Sequence, residues 1–284
     1  MRNLSEFTFY EWVKLDPVYW FLKQLRNDLV TKKYIANNAA AKNSLSDWMI
    51  EFDKEDLVAV SIAFENSSMI DLQSEAMSKY FLLGKYIVAD NSRNQAESAK
   101  IKKICDKKNV LYIKLPQNPV RHANRNHSMA LQWVYENVIK PIGLKKFGFL
   151  DHDLIPIEFI KRLKKINDLP IYGHKFDGEL NNSAWTLWAG FCFFNIDKLQ
   201  TCTKFNFLYD FSNGLDTGGR NYNSIYKKLP QNEEFFAKEV TSQDVDDFFT
   251  LDEEWVHFGG AGYVANYKQK EKKFLEVIQR VSSK

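Results

Sequence analysis

The segment LVAVSIAF, residues 57–64, is a continuous apolar run rich in β-branched residues. Such a run is typical of a strand buried on both faces of a parallel sheet. Ser68 and Asp71 then match a capping box, which predicts the start of a helix that ends at Gly84. KYIVAD, residues 85–90, is the next predicted strand.

The alternation of strand and helix continues along the chain. We predict a charged helix at about 94–108, the strand VLYIKL at 110–115, a helix at about 124–140 and a strand FGFLDHD that ends near Asp153. Alternating elements imply a mainly parallel sheet with helices on both faces. Ligands bind such sheets beyond the carboxyl ends of the strands, where we expect the loops to converge.

Both ends of the chain depart from this pattern. Residues 1–55 carry aromatics that indicate an N-terminal helical extension packed on the body, with an acceptor-binding or membrane-peripheral helix as the alternative. After residue 170, short aromatic strands, Gly/Asn-rich turns and a helix near 221–229 indicate an elaboration of the same sheet. The N-terminal aromatics are Phe7, Phe9, Trp12, Tyr19, Trp20 and Phe21.

Composition bounds the class of protein. The 284 residues suffice for one large α/β domain, and 39 basic against 36 acidic residues give a net charge of only +3. That balance does not favour a nucleic-acid-binding surface. Three cysteines without a CxxC pair indicate reduced thiols. Because we find neither a signal peptide nor a transmembrane segment, we expect a cytoplasmic protein.

Asp151-His152-Asp153 follows the apolar strand and is the sharpest chemical feature. A turn at this point would let the first carboxylate reach a ribose and the second a metal. Carboxylate oxygens suit Mg²⁺ or Mn²⁺, which also bind phosphates. The alternative is a pair of carboxylates that cap a strand end. A second D-x-D match, residues 244–246, lies in a polar region and reads as a solvated surface run.

Two further segments carry side chains suited to binding phosphates or a metal. Arg121, close to His122 and Arg125, could contact a base or a diphosphate, or it could lie on the surface. His257 lies in a Gly-rich segment in which the backbone could approach a ligand closely, although a lone histidine is often part of a core or a turn.

Taken in order, VAVSIAFENS, Ala89-Asp90-Asn91-Ser92, Asn118-Pro119-Val120-Arg121-His122, an Asn126-bearing helix and FLDHD resemble the nucleotide-binding half of the inverting family 2 glycosyltransferases. The resemblance covers roughly residues 57–160. It implies a GT-A fold, with residues 56–160 as the nucleotide-sugar-binding half and 161–284 as the acceptor-binding half.

The resemblance also implies roles for individual residues. Asp151 would support the ribose and, with Asp153 and His257, the metal, while Asp216 would be the general base that deprotonates the acceptor. Asp216 could instead be a helix cap or turn residue. The family's usual Glu-Asp pair is missing around it. The expected nucleotide-sugar contacts are Phe64, Glu65, Asp90, Asn91, Arg121, Asp151 and His152.

The sequence thus predicts a metal-dependent glycosyltransferase that uses Mn²⁺ or Mg²⁺, a nucleotide-diphosphate sugar, with UDP favoured, and a glycan or other hydroxyl acceptor. Two alternatives remain: a nucleotidyltransferase that makes a nucleotide sugar, and a non-catalytic nucleotide- or glycan-binding protein. His174, Asp177 and Glu179 are further candidates for the acceptor side or for the general base itself. Trp185 and Trp188 could stack on a sugar or belong to the core. GxxxxGK[ST], GxGxxG and GxSxG motifs are missing from the sequence.

Overall fold

A computed structural model of the protein describes residues 4–42, 52–179, 183–199, 204–210, 213–240, 248–259 and 267–282. Within these ranges, a six-stranded sheet has the strand order β3-β2-β1-β4-β7-β6. Strands β1 to β4 are parallel, whereas β7 and β6 are antiparallel to their neighbours. The strands are β1 (Leu57–Ala63), β2 (Gly84–Asp90), β3 (Leu111–Lys114), β4 (Lys146–Asp151), β5 (Leu154–Pro156), β6 (Ile171–Asp177) and β7 (Trp185–Asn195).

A smaller antiparallel sheet has the order β5-β10-β9-β8. It is completed by β8 (Glu239–Val240), β9 (Phe249–Leu251) and β10 (Trp255–His257). The turn between β9 and β10 contains Asp252 and Glu253 with positive φ angles of 56° and 67°. This tight turn pairs β10 with β9, and the other edge of β10 pairs with β5. Strand β5 begins directly after Asp153.

Helices cover both faces of the central sheet, as the sequence predicts. Helices α3 and α4 pack on one face, and α5 packs on the other. Among the described residues, no helix is both long and apolar enough to cross a membrane. The helices are α1 (Phe9–Val13), α2 (Asp16–Ala36), α3 (Ser67–Tyr80), α4 (Gln95–Lys108), α5 (Ala123–Val134, prolonged by a π-helical turn over Tyr135–Ile139), α6 (Asn221–Ser224) and α7 (Tyr267–Ser282).

The predicted α/β class with a mainly parallel sheet and flanking helices is confirmed, but two local predictions are wrong. The N-cap of α3 is Asn66 rather than Ser68, because the Asn66 side chain accepts the Met69 N–H. Gly84 does not end the helix: α3 ends at Tyr80 and Gly84 begins β2. A Cβ at Gly84 would lie 1.9 Å from the Leu57 carbonyl oxygen, so β1 and β2 approach closely only with glycine there.

The N-terminal extension is helical, but most of its aromatics are not core residues. Phe7 is buried, whereas Phe9, Trp12, Tyr19 and Phe21 are exposed. The prediction that these rings pack on the body is therefore wrong for most of them. The division of the chain at residues 55 and 160 stays a prediction.

Candidate metal centre and active-site cleft

The carboxyl ends of the parallel strands meet at one edge of the sheet. In the strand register, Asp90 lies opposite Ala63, and Asp151 lies opposite Ile62 on the other side of β1. Lys114, at the end of β3, is paired with Asp90. Three strand ends therefore place charged side chains along the edge at which α/β sheets bind ligands.

Gln73 of α3 forms hydrogen bonds with the backbone of the turn after β4. The Gln73 amide donates to the carbonyl oxygens of Asp151 and Leu154, at 2.7 Å each, and its own oxygen accepts the Tyr86 hydroxyl at 2.7 Å. Gln73 is fully buried. Because its three bonds fix the backbone on both sides of the turn, Gln73 orients the side chains of Asp151 and Asp153.

Asp151, Asp153 and His257 converge above this turn. One ligand atom of each lies within 4.8 Å of the others, and Asp153 Oδ1 is 3.4 Å from His257 Nε2. Strand β10 supplies the histidine: His257 is paired with Leu154, and the Phe258 N–H donates to the Asp153 carbonyl at 2.9 Å. Two carboxylates and an imidazole in this arrangement are a ligand set that can hold one metal ion.

Electrostatics around Asp151 favour a positive ligand. Burial and then the negative charge of Asp153 raise the pKa of Asp151 to about 6. The carboxylate also needs space, since a Cβ on Gly190 would lie 2.6 Å from Asp151 Oδ2 and 2.3 Å from the Trp188 ring. Glycine at position 190 thus lets β7 pass beside the acids.

His127, which the sequence reasoning did not single out, faces the same acids from α5. Its Nε2 lies 3.8 Å from Asp151 Oδ1 and has no hydrogen-bond partner among the described residues. Burial lowers the pKa of His127 to about 4, so the ring is neutral at pH 7. The apolar periodicity of α5 marks this helix as core-forming, and nothing in that pattern separates His127 from a buried structural histidine.

Asp216 and Asp151 line the same open cleft. The cleft has a volume of about 210 Å³ and is also lined by Asn124, His127 and Trp188. Asp216 is exposed, and its Oδ2 accepts the Asn124 amide at 3.2 Å. An adjoining pocket of about 330 Å³ shares Asn124 and Asp216 with the first. A carboxylate in this position can accept a proton from a molecule in the cleft.

Asp90 is embedded in the protein. It is fully buried and accepts bonds from the Ser92 N–H at 2.8 Å, the Tyr112 hydroxyl at 2.9 Å, Lys114 Nζ at 3.1 Å and the Ser98 hydroxyl. Burial opposes ionisation, but these hydrogen bonds outweigh it and the pKa of Asp90 is lowered. The chain itself supplies the donors that this carboxylate needs.

The loop after β1 is joined to the loop after β2. Glu65 has a φ of 49°, and its carboxylate accepts the Arg93 N–H at 3.1 Å and the Asn94 N–H at 3.3 Å. Asn91 is buried and donates from Nδ2 to the Asn126 side chain of α5. Phe64, directly after β1, is half-buried. These contacts organise the loops at the carboxyl edge of the sheet.

The remaining predicted site residues differ in position. Arg121 is exposed at the start of α5, at the same sheet edge, and His152 is half-buried within the turn between the two acids. His152 Nε2 has no hydrogen-bond partner in the part of the chain that the structure describes. The D-x-D match at residues 244–246 and the Gly-rich segment beyond Gly259 lie outside the described residues.

The aromatic candidates on β6 and β7 are His174, Trp185 and Trp188, and their contacts differ. The Trp188 ring lies 4.6 Å from the His257 ring, centroid to centroid, and His174 pairs with Glu239 at 3.4 Å. Trp185 stacks on Tyr226 at 4.8 Å. Trp188 therefore positions His257 by packing, while Trp185 belongs to the core.

No protein-family model and no curated protein matches this chain. Among solved structures, it is similar in part to TarS of S. aureus, with 16% identity and a TM-score of 0.27 over 40% of this chain and 19% of that chain. It is also similar to WbbM, a bifunctional glycosyltransferase, with 13% identity and a TM-score of 0.35 over 52% of this chain and 32% of that chain. Likenesses this distant carry no conclusion about the site.

Proposed function

We propose that this protein is a metal-dependent glycosyltransferase that moves a sugar from a nucleotide-diphosphate sugar to an acceptor hydroxyl, with inversion. The observation that carries this proposal is the convergence of Asp151, Asp153 and His257 at the carboxyl end of β4, beside a cleft that Asp151 and Asp216 both line. The resemblance of residues 57–160 to family 2 glycosyltransferases supports the same reaction.

Asp153 and His257 would hold the cation from below, and Asp151 from the side of the cleft. The mixed oxygen and nitrogen ligands favour Mn²⁺ over Mg²⁺, since Mg²⁺ takes oxygen almost exclusively. A bound cation would neutralise the charge that develops on the leaving nucleoside diphosphate. Asp151 would also reach the ribose, as the family resemblance implies.

The nucleotide would lie along the edge formed by Phe64, Glu65 and Asn91, with Arg121 and His152 closer to the phosphates. A uracil base is favoured by the resemblance alone. Because its own chain satisfies Asp90, we assign that residue to shaping the loop after β2, so that contact with the base passes to Asn91. The neutral ring of His127 would form a hydrogen bond with the donor sugar beside Asp151.

Asp216 would act as the general base. It is exposed and lines the same cleft as Asp151, and we place the acceptor hydroxyl beside it, so that attack would come on the face of the sugar opposite the diphosphate. The Asn124 amide fixes the orientation of its carboxylate. The acceptor would extend into the adjoining cavity past His122 and Tyr209.

Thermal unfolding with nucleoside diphosphates and nucleotide sugars, in Mn²⁺, Mg²⁺ or chelator, tests the donor site. A donor at a hundred times its dissociation constant should add about 2.7 kcal/mol to the free energy of unfolding. Asp153→Ala should abolish the metal-dependent part of that gain. Asp216→Asn, the matched control, should keep it but lose roughly 10²–10⁴-fold in transfer rate.

The outcomes separate the alternatives. A nucleotide-sugar shift without sugar transfer by the wild type would favour the non-catalytic binding protein. Formation of a nucleotide sugar from a nucleoside triphosphate would favour the nucleotidyltransferase. Donor binding that is unchanged by chelator and by Asp153→Ala would contradict the proposed metal centre.

A further inference from the structure

Phe176 presents an aromatic ring to the cleft. It lies on β6, the edge strand of the central sheet, is 43% exposed, and lines the cleft together with Asp151 and Asp216. Its ring contacts the His174 ring edge-to-face at 5.0 Å and the Trp188 ring at 6.2 Å, centroid to centroid. These two contacts fix the orientation of the ring, so the cleft contains an ordered aromatic surface.

One wall of the cleft is a face of strands β4, β7 and β6. Phe176 is paired with Thr186, and Trp188 and Gly190 follow at alternate positions of β7 and also line the cleft. Gly190 marks the place of Asp151, because a Cβ there would lie 2.6 Å from Asp151 Oδ2. Two strands and four residues of β7 separate Phe176 from Asp151, roughly 15 Å at the usual spacings. A single sugar ring does not span that distance, so Phe176 belongs to the acceptor side of the cleft.

The polar side chains nearest the ring in the wall and roof of the cleft are uncharged. They are Thr186 of β7, Asn124 of α5 and Thr217 of the loop before α6. An exposed aromatic ring packs against the C–H face of a sugar ring, and amides and hydroxyls form hydrogen bonds with the sugar hydroxyls. Phe176 and these three side chains together provide both kinds of contact.

A lipid or a phosphorylated acceptor fits these features less well. A lipid chain needs a continuous apolar groove, whereas the adjoining pocket is lined by the polar side chains of His122, Glu179 and Tyr209. The carboxylates of Glu179 and Asp216 in that pocket would repel an acidic acceptor. An uncharged molecule rich in hydroxyl groups agrees with both observations.

We infer that the acceptor is a neutral saccharide and that Phe176 binds its terminal sugar by stacking on the C–H face of the ring. The place of the reacting hydroxyl beside Asp216 rests on the proposed function. There, the acceptor oxygen forms its bond to the anomeric carbon of the donor, the bond to the diphosphate breaks, and the hydroxyl proton passes to Asp216. The next sugar of the acceptor enters the adjoining pocket past Tyr209.

An array of neutral oligosaccharides, followed by saturation-transfer NMR with the one that binds best, tests this inference without any donor. Phe176→Ala should raise the dissociation constant roughly tenfold or more, and Phe176→Trp should keep it within a few-fold of the wild type. Phe159→Ala is the matched control and should leave binding unchanged. Phe159 is 51% exposed, packs edge-to-face on Tyr80 at 5.7 Å and does not line the cleft.

The same variants separate this inference from the proposed function. Phe176→Ala should keep the metal-dependent stabilisation by the donor, and it should raise the KM for the saccharide with little change in kcat. A wild type that binds no saccharide would overturn the inference, as would binding that survives Phe176→Ala. Transfer to a lipid or to a peptide hydroxyl, and to no saccharide, would overturn it while the transferase proposal stands. Saccharide binding that depends on Phe176, in a protein that binds no donor, would support the inference and contradict the proposed function.

Discussion

Asp90 and Asp151 end the two strands that flank β1, at the same edge of the sheet, yet their surroundings shift their pKa values in opposite directions. Four donors of the chain surround Asp90, and its pKa is lowered. Asp151 instead lies beside the acid Asp153, and its pKa is raised to about 6. A carboxylate that receives all its hydrogen bonds from its own chain stabilises the fold. Two carboxylates held close together repel each other, and a bound cation would remove that repulsion.

Asp90→Asn tests the structural role of Asp90 and should have the largest effect. The amide cannot accept from Ser98, Tyr112 and Lys114 together, so Lys114 loses its buried counter-charge. We expect a loss of about 3 kcal/mol in the free energy of unfolding at pH 7, measured by denaturant titration in chelator. A lowered pKa means that this contribution is complete above the usual pKa of an aspartate and is lost as the pH falls through the folded-state value.

An Asp90→Asn variant as stable as the wild type, but unable to bind nucleotide, would contradict the structural role. It would return Asp90 to contact with the base, as the family resemblance implies.

Gln73→Leu tests whether Gln73 orients the turn that carries Asp151 and Asp153. The change leaves the carbonyl oxygens of Asp151 and Leu154 without their donor, and we expect a loss of about 2 kcal/mol of stability. Since the turn also loses its orientation, Mn²⁺ affinity should fall roughly tenfold or more, measured by calorimetry. Gln132→Leu is the matched control, because this buried glutamine accepts the Phe207 N–H at 2.7 Å, away from the acids.

Equal losses of stability in both glutamine variants, with Mn²⁺ affinity lowered only in Gln73→Leu, would agree with the assigned role. A Gln73→Leu variant with wild-type affinity for the metal would show that the turn holds its shape without α3.

The sequence is informative wherever a pattern is local. Apolar runs separated by helical periodicity predict β1 to β4 and the sheet edge, and Asp151 and Asp153 follow from their place at a strand end. The family resemblance adds His257 as a metal ligand, and the structure brings it to the two acids.

Long-range contacts are what the sequence leaves out. Gln73 and His127 reach Asp151 from helices 78 and 24 residues earlier in the chain. Their spacing in each helix is that of any core residue, so no local pattern marks them. The aromatics of α1 and α2 mislead for a related reason: their helical spacing predicts an apolar face but not which partner covers it.

Asp151→Asn should have the opposite sign to Asp90→Asn. A raised folded-state pKa means that stability is lost as the pH rises from the usual pKa of an aspartate to the folded-state value, above which the whole cost is present. We therefore expect the variant, in chelator at pH 7, to be more stable than the wild type by roughly 1–2 kcal/mol. The gain should disappear as the pH falls from about 6 toward 4, where wild-type Asp151 is neutral.

Saturating Mn²⁺ should reverse this order, because only the wild type gains from the cation. His127 lies 3.8 Å from Asp151 and has a pKa of about 4, so the two proteins are compared between pH 5 and 7, where its ring stays neutral. A variant less stable than the wild type in chelator would mean that Asp151 is satisfied by its own chain, as Asp90 is.

The smallest expected effects come from two tyrosine hydroxyls on neighbouring strands. Tyr112→Phe removes one of four donors to Asp90, and Tyr86→Phe removes the hydroxyl that Gln73 accepts; each should cost about 1 kcal/mol. Only Tyr86→Phe should also weaken Mn²⁺ binding, by roughly two- to fivefold, because Gln73 then holds the Asp151 turn less firmly. Calorimetric titration of both variants at one pH measures the difference. An equal loss of Mn²⁺ affinity in both variants would mean that Asp90 and Asp151 belong to one hydrogen-bond network, which would contradict the contrast between them.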